Sequence, residues 1–210
     1  MNPISAPEDV SALWLQTLQR AVGRASHDVK DALNGVSVNL EVIRSRAARP
    51  DVPASAVLQF SEAAAQQLDR LTNLIEAVLA VSRPERAPAD VALTLRRITT
   101  LCTASSSSSD ALVSMIDDGS VGSTMTRVRS DVVRLVLLAT LLDVVVGSDR
   151  AKRASEVACT LSGDDDAIRV VIATADRRPM LPEGIAEVVR SAGVRWTEGQ
   201  QDLSLAFPRA

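Results

Sequence analysis

Aromatic side chains are almost absent from this sequence. Its 210 residues include two Trp, two Phe and no Tyr, together 2% of the chain. Because proteins that bind single-stranded nucleic acid commonly stack bases on aromatic rings, we expect no nucleic-acid partner. The formal net charge of −3 equally gives no reason to expect a nucleic acid or an anionic membrane. Hydrophobic residues still make up 46%, which predicts a folded protein with a largely aliphatic core.

Metal-binding residue types are scarce as well. The chain has one histidine, His27, and two cysteines, Cys102 and Cys159, which lie far apart and outside any CxxC spacing. A single His and two scattered Cys make no ligand cluster, so no metal is expected in this chain. We expect both thiols to be buried or half-buried.

Long hydrophobic runs are missing too. The longest apolar run, residues 135–146, is too short to span a bilayer and includes Asp143. The first residues contain no basic segment followed by an apolar one, so no signal peptide is expected. These features predict a soluble, cytoplasmic protein without a membrane partner.

Apolar residues in the first half recur every three or four positions, which predicts two long amphipathic helices. The first stripe is Leu15, Leu18, Val22, Ala25, Val29, Ala32, Val36, Leu40, Ile43 and Ala47, and the second is Val57, Ala64, Leu68, Leu71, Ile75, Val78 and Ser82. The first helix is expected to begin near Pro7, and Pro50 and Pro53 separate the two. A lone antiparallel hairpin would leave much of both stripes exposed, so we expect a homodimer in which two hairpins form a four-helix bundle.

The pattern changes after the Pro-rich segment 83–88, which predicts a domain boundary between residues 85 and 86. We predict helices at 90–101, 130–149 and 183–193, a strand at 111–117, one hairpin within 155–175 and a second turning at Gly199. The 130–149 helix is nearly apolar all round and is expected to end at Gly147. The expected fold is therefore α+β, with a helical hairpin (1–85) followed by an α/β sandwich (86–210) whose sheet is mostly antiparallel.

His27 falls on the polar side of the first predicted helix. At about 100° per residue, Lys30 lies roughly 60° to one side of it, Asp31 about 40° to the other, and Asn34 almost directly above. A solvated imidazole is largely neutral at physiological pH and can attack a phosphoryl group if a neighbour holds its other nitrogen. Asp28 could be that neighbour, and Lys30 could place positive charge beside phosphoryl oxygens. The alternative is an ordinary charged helix surface that happens to include a histidine.

The segment SHDVKDALNGVSVNLEVI (26–43) resembles the phosphoacceptor box of two-component histidine kinases. The segment LDRLTNLIEAVLAVSRPERAPADVALTLRRI (68–98) resembles their second dimerisation helix and the linker into their ATPase-like domain. The resemblance covers most of the chain from about residue 10. Two positions depart from the family: Ala32 stands where a proline is usual, and Asp31 stands where an Asn or Thr serves phosphatase action, which puts dephosphorylation in doubt.

The family's ATP site is poorly matched. Residues 130–149 resemble its asparagine helix, but Thr140 and Val144 stand at the two asparagine positions. Residues 173–184 resemble its adenine turn, in which Asp176 matches the aspartate while Arg178 and Met180 replace glycines. Asp176 could equally be an ordinary turn residue. The resemblance therefore implies a degenerate ATPase-like domain, as in dimeric histidine phosphotransfer proteins.

This resemblance implies a phosphorelay protein in which His27 exchanges a phosphoryl group with response-regulator aspartates and does not use ATP. Asp28 would orient or deprotonate His27, and Lys30 would stabilise charge, while Arg24, Asp31 and Asn34 would line the receiver-docking face. The receiver would supply Mg²⁺, and a hybrid histidine kinase is a further candidate partner. Two alternatives remain open: a catalytically inactive adaptor that binds receivers or a kinase, and a working kinase with an unusual ATP site.

Overall fold

The computed structural model describes residues 7–51, 53–83, 88–104, 112–117, 119, 121–150, 156–175 and 178–210. Five helices occur in these ranges: α1 (Pro7–Ala47), α2 (Ser55–Ser82), α3 (Val91–Ala104), α4 (Ser130–Arg150) and α5 (Ile185–Ser191). Seven strands accompany them: β1 (Ala89–Asp90), β2 (Leu112–Asp117), β3 (Met125–Thr126), β4 (Glu156–Gly163), β5 (Ala167–Thr174), β6 (Arg195–Glu198) and β7 (Asp202–Pro208). The fold is α+β, a long helical hairpin followed by an α/β domain, as the sequence predicts. The predicted boundary at 85 and 86 lies outside the described residues.

The hairpin is formed by α1 and α2, which pack along each other. The buried residues of α1 are Thr17, Ala21, Ala25, Asp28, Ala32 and Val36, and those of α2 are Ala64, Leu74, Ala77 and Val81. Small alanine side chains let the two backbones approach closely. Three members of the predicted stripe on α1, Leu15, Val22 and Leu40, are exposed in the protomer, so the packed face is rotated from the predicted one.

The second domain contains a five-stranded sheet in the order β2-β4-β5-β7-β6. All its pairs are antiparallel except β2 with β4, which are parallel because α4 crosses between them. Residues on one face alternate into the core, including Val157, Cys159 and Leu161 of β4. The mostly antiparallel sheet is confirmed, whereas the short pair β1–β3 was not predicted.

Helix α4 is the centre of the domain core. Residues 132–142 are buried along its whole circumference, as the continuous apolar sequence predicts. The helix does not end at Gly147 but continues to Arg150. Glycine costs only about 1 kcal/mol in a helix interior, which a well-packed helix tolerates. No helix in the described ranges is both long and apolar enough to cross a membrane.

The hairpin packs against the second domain through α4 as well as through α3. The guanidinium carbon of Arg134 on α4 lies 4.8 Å from the centre of the Trp14 ring on α1. Arg134 Nη1 also donates a hydrogen bond to the carbonyl oxygen of Arg83 at 2.8 Å, just after α2 ends. A stacked and hydrogen-bonded arginine joins both helices to the core of the second domain.

Candidate functional site

His27 stands on the solvent side of α1, midway along a helix held by packing at both ends. Its side chain is 77% exposed. The neighbouring helix positions explain this exposure, since Ala25, Asp28 and Ala32 turn towards α2 and are buried. The predicted exposure of His27 is therefore what the structure shows. A rigid helix presents one imidazole to any partner that approaches this side of the hairpin.

Asp31, one helical turn after His27, contacts the imidazole directly. Its Oδ2 lies 3.2 Å from His27 Nδ1, within hydrogen-bonding distance for an N–H donor, and its side chain is 60% exposed. This contact directs Nδ1 towards the carboxylate and leaves Nε2 as the nitrogen on the other side of the ring. The neighbour that holds one ring nitrogen is thus present, but it is a different residue from the one the sequence suggested.

Asp28, the predicted orienting residue, turns inward instead. It is only 8% exposed, and its Oδ2 accepts no hydrogen bond from any residue in the described ranges. Burial raises the pKa of Asp28 above its ordinary value, and the positive charges of Arg24 and Arg70 oppose that shift. The orienting contact predicted for Asp28 is therefore made by Asp31, because residue 28 belongs to the face of α1 that packs on α2.

Two arginines connect this region with the rest of the molecule. Arg24 is half-buried and lies close enough to α3 to oppose the raised pKa of Cys102, which burial takes to about 12. Arg70, on α2, interacts electrostatically with Asp28 and was not singled out in the sequence. Arg70 lies four positions before Leu74, a buried residue of α2, and this helical spacing was the available signal. Both cysteines are buried free thiols, as predicted.

Lys30 and Asn34 are exposed on the same side of α1 as His27, as the helical spacing predicts. Ala32, which stands in place of the family's proline, is buried against α2. It continues the small-residue packing of α1 without interrupting the helix. Lys30, Asn34 and Asp31 thus surround the imidazole with exposed polar groups of both charges.

A cleft of about 960 Å³ opens beside the site, between α2 and α3. Arg70 lines this cleft and also interacts electrostatically with Asp28, the residue that follows His27. One end of the cleft is therefore close to the site. Its far wall, on α3, carries Arg96, Arg97 and Thr100. The cleft also contains the carboxylates of Asp69 and Glu76, so it offers a partner a partly apolar surface of mixed charge, contributed by both domains.

The residues that the family resemblance assigns to an ATP site lie partly in the core and partly at the surface. Thr140 and Val144 have no exposed surface, and Thr140 Oγ1 donates a hydrogen bond to the carbonyl oxygen of Val136 at 2.7 Å. Met180 is 52% exposed, and Arg178 Nη2 lies 3.9 Å from Glu198 Oε2. Asp176 lies outside the described residues. Thr140 and Val144 are thus enclosed in the core around α4, whereas Arg178 and Met180 lie at the surface.

Three potential metal ligands lie close together at this site. They are a ring nitrogen of His27 and one carboxylate oxygen each from Asp28 and Asp31, all within 4.8 Å of one another. This arrangement was not predicted, because the sequence has a single histidine and two scattered cysteines, and these residues alone make no ligand cluster. One His and two carboxylates can bind a divalent cation of borderline softness.

No family model and no curated protein matches the chain. Solved structures that are similar to it are a bacterial phosphotransferase and several histidine kinases. The phosphotransferase is 16% identical with a TM-score of 0.42, over 98% of this chain and 99% of that one. A blue-light activated histidine kinase from Erythrobacter litoralis is 16% identical with a TM-score of 0.42, over 91% of this chain and 59% of that one. The histidine kinase ThkA, in complex with response regulator protein TrrA, is 11% identical with a TM-score of 0.42, over 93% and 63%.

Proposed function

We propose that this protein is a histidine phosphotransfer protein, in which His27 relays a phosphoryl group between response-regulator aspartates without using ATP. The observation that supports this most is the exposed imidazole whose Nδ1 lies 3.2 Å from the Asp31 carboxylate. A nucleophile beside a group that orients it is the arrangement that covalent catalysis requires.

The transfer step follows from this geometry. The lone pair of His27 Nε2 attacks the phosphorus of the receiver's aspartyl phosphate, so a P–N bond forms while the P–O bond to the receiver's carboxylate breaks. The imidazole becomes positively charged, with its proton on Nδ1, and the Asp31 carboxylate stabilises that charge. The carboxylate of the receiver leaves with the bonding electron pair, and the reverse reaction phosphorylates the next receiver.

Exposed polar groups around His27 give the receiver its contacts. Lys30 can approach the phosphoryl oxygens as a point charge, and Asn34 lies one further turn along the same side of α1. Arg24 is half-buried, so it supports the site from the side of α3 more than it forms a docking surface. The cleft between α2 and α3 provides an adjoining surface against which a receiver can pack one of its helices.

The Mg²⁺ needed for aspartyl phosphate chemistry comes, in this proposal, from the receiver. The burial of Thr140 and Val144 supports the proposal that the second domain serves as a scaffold and docking surface and carries out no nucleotide chemistry of its own. A hybrid histidine kinase, which carries a receiver of its own, could be the upstream donor.

We further propose that the active form is a homodimer. A row of exposed apolar residues, here called the uncovered apolar face, runs along one side of the hairpin and consists of Leu15, Val22, Leu33, Leu40, Leu68, Ile75 and Leu79, which are 38–55% exposed. On α1 its members recur mainly at intervals of seven, as in helix bundles. His27 lies roughly 120–140° around α1 from Leu15 and Val22. Pairing of two such faces would complete a four-helix bundle and leave both histidines accessible.

The direct test is transfer from a panel of phosphorylated receivers to the purified protein and to His27→Ala. Ser26→Ala, a change at the neighbouring exposed residue, serves as the matched control. We expect acid-labile label on the wild type and on Ser26→Ala, and none on His27→Ala. Receivers that bind the His27→Ala variant as tightly as the wild type, with no label on either protein, would instead indicate a non-catalytic adaptor.

A further inference from the structure

The cluster formed by His27, Asp28 and Asp31 resembles a cation site more than an ordinary charged helix surface. His27 Nδ1 and Asp31 Oδ2 are 3.2 Å apart, and ligand atoms about 2.1 Å from a tetrahedral cation lie about 3.4 Å from each other. A carboxylate oxygen of Asp28 lies within 4.8 Å of a ring nitrogen of His27 and of a carboxylate oxygen of Asp31. The proposed site therefore requires the side chains to rotate until all three ligand atoms reach bonding distance.

Asp28 provides the independent evidence for a ligand. Its carboxylate is nine-tenths buried, and Oδ2 accepts no hydrogen bond from the described residues. Buried carboxylate oxygens are normally hydrogen-bonded, because leaving one unsatisfied costs about 1–3 kcal/mol or more. A cation shared with His27 and Asp31 would give this carboxylate a partner.

The ligand set also indicates which cation fits. An imidazole nitrogen favours Zn²⁺ and related transition-metal ions, whereas Mg²⁺ and Ca²⁺ prefer oxygen ligands alone. Three protein ligands leave a fourth position for water, as in open zinc sites. The nearby guanidinium groups of Arg24 and Arg70 oppose a cation, so we expect weaker binding than at a structural zinc site.

We propose that His27 Nδ1, Asp28 and Asp31 form a site for one Zn²⁺-like cation in each protomer, and that an occupied site blocks phosphoryl acceptance at Nε2. The blocking part rests on the proposed function. A cation on Nδ1 removes the proton that Asp31 would otherwise stabilise, and it withdraws electron density from the ring that must act as nucleophile. Metal and phosphoryl group would therefore compete for the same imidazole.

His27 is the only histidine, so its imidazole signals in nuclear magnetic resonance spectra belong to one residue. The experiment titrates Zn²⁺ into the full-length protein and follows both ring nitrogens of that imidazole by their ¹⁵N shifts. Asp31→Asn, Asp28→Asn and the matched control Glu62→Gln, an exposed carboxylate on α2, are titrated in parallel. Backbone amide spectra verify that each variant is folded.

We expect saturable binding with the largest shift at Nδ1, an affinity at least about tenfold lower in Asp31→Asn and Asp28→Asn, and an unchanged affinity in Glu62→Gln. Equal affinity in all variants, a shift at Nε2 alone, or no shift would overturn the site. Binding is measured without a receiver, so its failure leaves the phosphotransfer proposal intact. Transfer that proceeds equally with Zn²⁺ and with a chelator would overturn the competition alone.

Discussion

At the scale of single residues, two aspartates that follow the same histidine lie in different environments. Asp31 is exposed and lies 3.2 Å from Nδ1, whereas Asp28 is buried against α2 and close to Arg70. An exposed carboxylate beside the ring can stabilise a positive imidazole. A buried one is suited to holding the helices or a cation.

This difference predicts the order of two substitutions. We expect Asp31→Asn to lower the rate of phosphohistidine formation by about a hundredfold, because the imidazolium loses its charged partner while the side chain keeps its shape. Asp28→Asn should lower it less. Rapid-quench measurements with one phosphorylated receiver compare the two variants, and the opposite order would return the orienting role to Asp28.

The buried position of Asp28 predicts a pH-dependent stability difference. Its pKa is raised by burial, so folding favours the neutral acid, and the wild type loses stability as pH rises from the ordinary carboxyl pKa through the folded one. Asp28→Asn lacks this loss and should be the more stable protein at pH 7. Urea unfolding at one protein concentration should show the difference shrinking towards about pH 4. A difference that is constant with pH would contradict the assignment.

The spacing of residues predicted where His27 points, because exposure on a helix follows from its period. It did not predict which carboxylate meets the ring. Asp28 is drawn inward by packing on α2 and by Arg70, which is distant in sequence, and single-helix geometry contains no information about either. For the same reason, the sequence did not predict that His27, Asp28 and Asp31 form a cluster.

At the scale of elements, the helices were predictable and the sheet was only partly so. Hydrophobic periodicity located α1 and α2 within a few residues of their observed ends. Strands β1 and β3 have two residues each, too few to show any period. The parallel pairing of β2 with β4 depends on the crossover through α4, which local patterns do not encode.

Helix faces give the clearest element-scale prediction. Ile75→Lys places a charge in the uncovered apolar face and should convert a dimer into monomers, since a buried lysine without a partner is strongly unfavourable. Gln66→Lys adds the same charge on the opposite side of α2 and should leave the dimer intact. Light scattering after size-exclusion chromatography distinguishes 22.3 kDa from twice that mass. A wild-type protein that elutes as a monomer would rule out the dimer.

At the scale of the whole molecule, the second domain packs against the helical hairpin that carries the histidine. Arg134 joins α4 to Trp14 and to the end of α2, and α3 forms one wall of the cleft beside α2. The second domain thus contributes packing and surface to the hairpin of α1 and α2.

In the proposed function, His27 takes its phosphoryl group from another protein and not from ATP. The most direct measurement incubates the protein with a radiolabelled phosphorylated receiver and, separately, with radiolabelled ATP and Mg²⁺. We predict acid-labile label on His27 from the receiver alone and none on His27→Ala from either donor. Label on His27 from ATP, or equal label on the wild type and His27→Ala, would contradict this account.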